Sequence, residues 1–523
     1  MAFGAGVKKR PAGGDSKGVT IDTVPIGPVP DAGAHETPVF APGLWAMVGM
    51  VGSGLLALAS NLPGSPFGPH AAGLWPLAAP GPAPWWEGPN IPAWAKLSDQ
   101  ASTVTAGRLL PTVAVVGGAG LLVLAWSRLW RRTGDGADLR PRTLWSMVGI
   151  WITPLLLAAP FASQDVWHYG ADGKAVLDGL SGYQPASLIG HSVWTAGVDA
   201  QWATRPSLYG PGALDLSAFF VKMSGGRPWL AAEYWRLTAI VGIALCAWGV
   251  KRIASSLGAD STRATLAGVA NPAVLIILVG GIHNDALMLG LTVAGIALVM
   301  SGVAVGGITL CALGLAVKPN ALLALGALAW WGWGTRRRQR VSGVIGATAA
   351  AVGVLLLSGL GAGGGFGWVR SLLSYGWVPG PWSLGPRFLG VQTGRPIEAV
   401  EMAGSVLAVL LVIGLGRSGR WVSGLGWGFA VLALTTPTPE PWYLTWAVVL
   451  LAAGGLNRKS ERVGVLVLGA MILGSVIPPG PFWWFSGVIV LAWLGLVGLR
   501  HGVPGRADIP EAQSAGSSMT TGI

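Results

Sequence analysis

Charge is scarce in this chain. Only 11% of its 523 residues are Asp, Glu, Lys or Arg, while 52% are hydrophobic; a soluble domain carries roughly a quarter charged residues. So little charge cannot keep so much apolar surface in water, and a soluble globular enzyme is excluded in favour of an integral membrane protein. Cysteine is almost absent too. Cys246 and Cys311 both lie inside apolar runs, so no disulfide framework in an aqueous loop is available and cysteine leaves the redox compartment open. There is no Gly-x-x-x-x-Gly-Lys-Ser/Thr loop, no His-Glu-x-x-His and no soluble nucleotide-sugar domain. An ATP-driven pump, a zinc protease and a nucleotide-sugar transferase therefore find no support. The glycine-rich stretch at 361–365 follows an apolar run rather than a strand, and it reads as a hinge in a loop.

What the chain does have is about fourteen long apolar runs. They lie near 44–62, 112–130, 144–162, 229–250, 264–279, 285–301, 308–317, 321–333, 341–360, 400–415, 421–434, 444–453, 464–477 and 485–499. Several fall short of the roughly 20 residues a perpendicular span needs. An all-α polytopic fold of about 13–15 transmembrane helices is expected, with re-entrant or interfacial helices in its loops. The segment 1–40 reads as a disordered cytoplasmic tail, 41–505 as the membrane body and 506–523 as a second disordered tail.

Lys and Arg outnumber Asp and Glu by 34 to 22, but they cluster in short loops rather than forming a nucleic-acid footprint. Arg131, Arg132, Arg140, Arg142, Lys251, Arg252, Arg263, Arg336, Arg337, Arg338, Arg340, Arg417, Arg420, Arg458, Lys459, Arg462, Arg500 and Arg506 all fall on one side if the count is fourteen. The positive-inside rule makes that side the cytoplasm, with both termini there, and the plasma membrane is the expected location. The longer segments 63–108, 163–227 and 361–398 then face out, as do turns near His283, at 436–443 and at 478–484. Most of the 28 Trp residues fit an aromatic belt at the headgroups.

Polar residues among those belts are the candidates for chemistry. Asp165, in Ser163-Gln164-Asp165-Val166-Trp167-His168-Tyr169, sits where a helix leaves the membrane, a place for a base or a ligand, or for a helix cap or a partner of Lys174. His283-Asn284-Asp285 lies between two apolar runs, either capping the next span or binding sugar hydroxyls and phosphate. Lys318 either snorkels to the headgroups or meets a phosphate. The segment 208–223 reads as a short amphipathic or re-entrant helix opened by Tyr209-Gly210-Pro211 and carrying Asp215 and Lys222. His283, Asp285 and Asp165 do not make a full ligand set, so no metal and no cofactor is expected.

Several of these stretches together resemble one family. Ser163-Gln164-Asp165-Val166-x-x-Tyr169, Gly173-Lys174, Gly179-Leu180-x-x-Tyr183, Tyr209-Gly210-Pro211, Gly281-x-His283-Asn284-Asp285-Ala286-Leu287-Met288, Lys318-Pro319 and Pro441-Trp442-Tyr443-Leu444-x-Trp446 are similar to motifs of the actinobacterial polyprenol-phosphate-mannose-dependent α-1,6-mannosyltransferases of the MptA and MptB kind. They run in order across roughly residues 144–450. The chain departs from that pattern at Ser181-Gly182, where an Asp-Pro pair is more usual, and at Trp167 and His168, where smaller aromatic or polar residues are. The departures bear on fine specificity more than on reaction type.

The resemblance implies a GT-C glycosyltransferase fold with its active site at the extracytoplasmic face, in the loop 163–228. It also implies a polyprenyl-phosphate mannose donor, a mannosylated glycolipid or mannan acceptor in the bilayer, and inverting α-1,6 transfer in lipomannan or lipoarabinomannan core synthesis. Asp165 is then the general base, its pKa expected to be raised by the low dielectric of the lipid. Gln164, Tyr169, Lys174, Tyr209, His283, Asn284, Asp285, Lys318, Arg387, Trp442 and Tyr443 are the expected substrate contacts, with Arg370, Arg395, Arg205 and Arg227 as further cations for the leaving phosphate. Another GT-C polyprenyl-linked sugar transferase, such as an arabinofuranosyltransferase, and a polyprenyl-lipid or sugar transporter remain alternatives at this point.

Overall fold

The structure, a computed structural model, describes residues 42–62, 65, 74–77, 106–134, 139–160, 163–332, 334, 336–362, 364–374, 395–436, 438–455 and 472. The expected tails, most of the segment 63–108, Arg387, the turn at 478–484 and the spans expected at 464–477 and 485–499 lie outside the described residues. The secondary structure of the described part is all helical, with no strand.

The helices are α1 (Pro42–Asn61), α2 (Ala106–Gly134), α3 (Pro141–Ile152), α4 (Asp165–Leu177), α5 (Pro211–Met223), α6 (Pro228–Ser256), α7 (Ser261–Gly268), α8 (Asp285–Met300), α9 (Ala304–Val317), α10 (Leu322–Ala327), α11 (Arg337–Ala362), α12 (Gly367–Ser374), α13 (Arg395–Arg417), α14 (Trp421–Thr435) and α15 (Leu444–Ala453). Five of them, α1, α2, α6, α11 and α13, carry stretches long and apolar enough to cross a bilayer, and α7 with the π-helical segment after it makes a sixth if the pair, bent by 42°, is one span. α8, α9, α14 and the segment Pro441–Ala453 are shorter apolar helices. This is a multi-pass, all-α membrane protein. Leu357 is 72% exposed, Leu360 84% and Met402 69%; rows of bare leucine, valine and methionine on α11 and α13 are lipid-facing surface.

Lipid cannot drive apolar helices together as water does, so close backbone packing takes that role. At the centre α8 is buried on nearly every side. A Cβ on Gly242 of α6 would overlap the Ala286 carbonyl of α8, and a Cβ on Gly295 of α8 would lie 2.5 Å from the Gly307 carbonyl of α9. Glycine at these crossings lets the three helices meet at van der Waals contact of their main chains.

Two expected spans prove to be broken, and the second break runs directly into candidate residues. The run at 144–162 ends as α-helix at Ile152, two residues past which Pro154 lies in a 3₁₀ turn, Thr153–Leu157. The carbonyls at that broken end need donors. Arg236 of α6, fully buried, supplies them: Nη1 donates to Leu156 O at 3.0 Å, Nη2 to Ala158 O, and the guanidinium also pairs with Glu233 and lies 5.2 Å from the Trp75 ring. Replacing Arg236 with Met orphans both carbonyls at once, so we expect a loss of about 3 kcal/mol, read as a lower thermal midpoint of the detergent-purified protein. An unchanged midpoint would contradict this role.

The second break precedes α8. Residues Leu275–Gly280 form a π-helical segment, and Ile282 follows with φ of 56°. A β-branched residue in the left-handed region is strained. Strain of this kind and π-helical turns both concentrate at working sites, and the next three residues are His283, Asn284 and Asp285.

Candidate active site

Four short sequence features build the site. Asp165 opens α4, its N–H donating to Ser163 Oγ at 3.1 Å, so the carboxylate sits at the positive end of the helix. Pro211 starts α5 at its first position, while the N–H of Gly210 donates to Val317 O at 3.0 Å and a Cβ there would overlap the Ala316 carbonyl. Glycine followed by proline thus lets the chain press against the end of α9 and turn into a helix, delivering Tyr209 to Asp165. Pro319 ends α9 in the same way: Lys318 is forced extended, with φ −146° and ψ 127°, and its side chain turns back into the protein. Finally, Glu440-Pro441-Trp442-Tyr443 forms a 3₁₀ turn at the head of α15.

These segments close into one ring of contacts. Tyr209 donates its hydroxyl to Asp165 Oδ2 at 3.4 Å, and His283 Nδ1 lies 3.6 Å from the same oxygen. The His283 ring stacks on Trp442 with centroids 4.1 Å apart. Tyr443 beside it stacks on Trp446 at 4.8 Å, and Trp446 donates its indole N–H to Asp285 Oδ1 at 2.7 Å. Asp285 accepts from Lys318 Nζ at 2.9 and 2.8 Å, and that ammonium lies 5.0, 5.6 and 5.7 Å from the rings of Tyr443, Trp446 and Tyr209. Tyr169 packs edge-on against Tyr209 at 5.0 Å and its hydroxyl accepts from the Asn284 N–H at 3.4 Å.

The electrostatics correct one expectation. Burial by itself pushes Asp165 up, as anticipated, but His283, Lys318 and His168 outweigh it, so the carboxyl is held below its ordinary value. It is therefore ionised at neutral pH. Burial and the Asp165 charge push the Tyr209 phenol well up, so it keeps its proton and stays a donor. Glu440 goes the other way: burial, then Asp165 and Asp199, raise it well above the carboxylate range against a pull from Lys318. A second carboxyl, which holds its proton to higher pH than an ordinary glutamate, thus shares the surroundings of Asp165.

Of the residues expected from sequence, Asp165, Tyr169, Tyr209, His283, Asn284, Asp285, Lys318, Trp442 and Tyr443 are brought together, with Gln164 half-buried directly before Asp165. Lys174 is not. It lies nine residues along α4, roughly 13 Å by the helical rise, and pairs with Asp178, which also removes it as the partner of Asp165. Arg227 and Arg370 are exposed and Arg205 is half-buried with a partner of its own; Arg387 lies outside the described residues. The capping alternative for the second knot is not realised, since Asn284 makes no side-chain cap. Its amide, 1% exposed, has both polar atoms unbonded among the described residues, as has the Trp442 indole N–H. Buried groups of this sort need partners, and sugar hydroxyls can supply them.

Sequence reasoning missed Glu440, Trp446, Arg236, and the pair His168 and Asp172. Two signals were present. Arg236 is a lone arginine inside an apolar run, and Asp165, His168 and Asp172 recur at the spacing of one helix face. Among the described residues no cluster of three or more His, Cys, Asp or Glu has the arrangement of a metal site.

Comparison with known proteins matches residues 46–334 to the family model described as alpha-(1->6)-mannopyranosyltransferase, N-terminal domain, and residues 387–499 to the MptB C-terminal domain. The chain is 31% identical over 419 residues to alpha-(1->6)-mannopyranosyltransferase A of Mycobacterium tuberculosis, covering 74% of this chain and 81% of that protein. It is 29% identical over 427 residues to alpha-(1->6)-mannopyranosyltransferase B of Corynebacterium glutamicum, covering 71% and 70%. No solved structure matches it.

Proposed function

Because the chain belongs to the alpha-(1->6)-mannopyranosyltransferase family and is a glycosyltransferase, we propose that it moves mannose from a polyprenyl-phosphate mannose donor to a mannosylated glycolipid or mannan acceptor with inversion, using Asp165 as base on a GT-C body. The product is an α-1,6 linkage, and the process served is lipomannan and lipoarabinomannan core synthesis at the extracytoplasmic face of the plasma membrane. The observation that carries this reading is the ionised, largely buried Asp165 bonded to Tyr209 and flanked by His283.

The chemistry follows from those groups. The acceptor C6 hydroxyl oxygen attacks the anomeric carbon of the β-linked mannosyl phosphate, the bond from that carbon to the phosphate oxygen breaks, and its electron pair leaves with the phosphate. The hydroxyl proton passes to Asp165 as the oxygen gains positive character, so a carboxylate of ordinary or depressed basicity suffices once transfer is under way. Tyr209 and His283 fix the orientation of that carboxylate. His283 and Lys318 lie next to the reacting groups, and in a site shielded from water their N–H donors stabilise the departing phosphate more than they would in bulk. Lys318 does so while paired to Asp285, as part of a fixed dipole rather than as a free charge. Trp442, with its face on His283, offers an apolar surface and an unbonded N–H to a sugar ring.

The test uses purified protein in liposomes with polyprenyl-phosphate mannose labelled in the sugar and a defined mannosylated glycolipid. Label in the acceptor is the expected result. Label crossing the bilayer on intact donor without transfer would replace this reading with a transporter, and transfer of arabinose but not mannose from the matching donor would replace it with an arabinofuranosyltransferase.

A further inference from the structure

A second buried charge pair stands behind Asp165 on the same helix. Asp165, His168 and Asp172 fall at i, i+3 and i+7 of α4, one face of the helix. His168 is 6% exposed and Asp172 1%, and His168 Nε2 lies 3.3 Å from Asp172 Oδ1. Neither group has a hydrogen bond through these atoms among the described residues, and both Asp172 oxygens are buried. An unbonded carboxylate so deep in protein is costly unless a cation offsets it, and His168 is the group placed to do so. The other edge of the His168 ring meets Tyr209, with centroids 6.3 Å apart and planes at 78°. Tyr209 is the donor to Asp165.

We propose that His168, held by Asp172, is a positioning residue that keeps Asp165 charged and aimed through Tyr209. The proposal rests on Asp165 being the base. Its logic is that an anionic donor phosphate arriving at the site opposes a second negative charge there, and the fixed imidazolium one turn along α4 compensates for it. Burial works against the charged imidazole, but Asp172, with Asp165 and Asp199 adding to it, raises His168 above its ordinary value. Among the described residues, Asp172, Asp165, Asp199 and Tyr209 face His168, and His283, Lys318, His168, Tyr209, Tyr169 and Glu440 face Asp165. Removing the His168 charge takes away one of the three cations that depress Asp165. The Asp165 pKa must rise, so activity is lost at a higher pH on the acid side.

The experiment is the pH dependence of kcat/KM in liposomes for wild type, His168→Gln, His168→Lys, Asp172→Asn and Asp165→Asn, with protein amount normalised. For wild type the rate stays flat from neutral pH down through the ordinary carboxylate range, because Asp165 is held below it. In His168→Gln the acid limb moves up by about one pH unit, and in Asp172→Asn it moves the same way because the imidazole loses the partner that keeps it charged. His168→Lys keeps a cation there and leaves the limb in place, and the double variant His168→Gln/Asp172→Asn shifts no further than His168→Gln alone. A merely structural role would lower the plateau without moving the limb. An unmoved limb in His168→Gln and Asp172→Asn, with Asp165→Asn inactive, overturns the proposal and leaves the base intact; an active Asp165→Asn overturns both. If His168→Gln fails to accumulate, the near-isosteric Asp172→Asn decides by its limb.

Discussion

Asp165→Asn is expected to lose mannose transfer by about 10²- to 10⁴-fold, the range that a positioned general base supplies, at an unchanged level of protein in the membrane. The substitution keeps the volume of the side chain and an oxygen for the Tyr209 hydroxyl. It removes only the charge and the ability to take a proton. Asp165 is largely buried at the N-terminus of α4, and the isosteric amide keeps its packing, so activity normalised to folded protein separates a chemical effect from misfolding. The loss is expected in kcat rather than KM, since the proton moves only as the new bond forms. Transfer by the variant within a few-fold of wild type would remove Asp165 from the mechanism.

The second large effect concerns stability. Lys318→Met leaves the Asp285 carboxylate, fully buried, with the Trp446 indole as its remaining hydrogen-bond donor, and breaking a buried pair from one side costs about 3–5 kcal/mol. Asp285→Asn costs less, because the Lys318 ammonium keeps three aromatic rings within 5.0–5.7 Å and an amide oxygen still accepts from it. Replacing both, as Asp285→Leu with Lys318→Met, recovers much of the loss, because no charge is left uncompensated. Thermal midpoints of the four purified proteins decide the order. Equal losses in Lys318→Met and the double variant would show that the pair is not what holds α8, α9 and α15 together at this end.

Much of this was legible in the sequence, for identifiable reasons. Long apolar runs and the scarcity of charge gave the helical membrane body, and the short motifs at Tyr209, Lys318 and Trp442 were each punctuated by glycine or proline that the fold uses to make a turn. What the sequence could not reveal was who pairs with whom. Lys318 and Asp285 lie 33 residues apart and Trp446 and Asp285 lie 161 apart, and only the folded chain shows that the expected phosphate cation already holds a carboxylate. Lys174, next to Asp165 in the same motif, turned out to be committed to Asp178. The direction of the Asp165 shift failed for the same reason: burial could be foreseen from its place in the chain, but of the groups that overcome it only His168 is on the same helix, and His283 and Lys318 come from two distant segments. The broken ends at Thr153 and Leu275 escaped a span count based on apolar length, because a helix can stop being α without its sequence becoming polar.

The most direct measurement of the central claim is the structure of the product made by purified protein from β-linked polyprenyl-phosphate mannose and a defined mannosylated glycolipid. The account predicts one added mannose in α-linkage to the acceptor C6 oxygen, with polyprenyl phosphate released in equal amount and the product formed about 10²- to 10⁴-fold more slowly by Asp165→Asn. A β-linked product, a product drawn from a nucleotide-sugar while the lipid donor stays intact, or the same α-linked product from Asp165→Asn at the wild-type rate would contradict it.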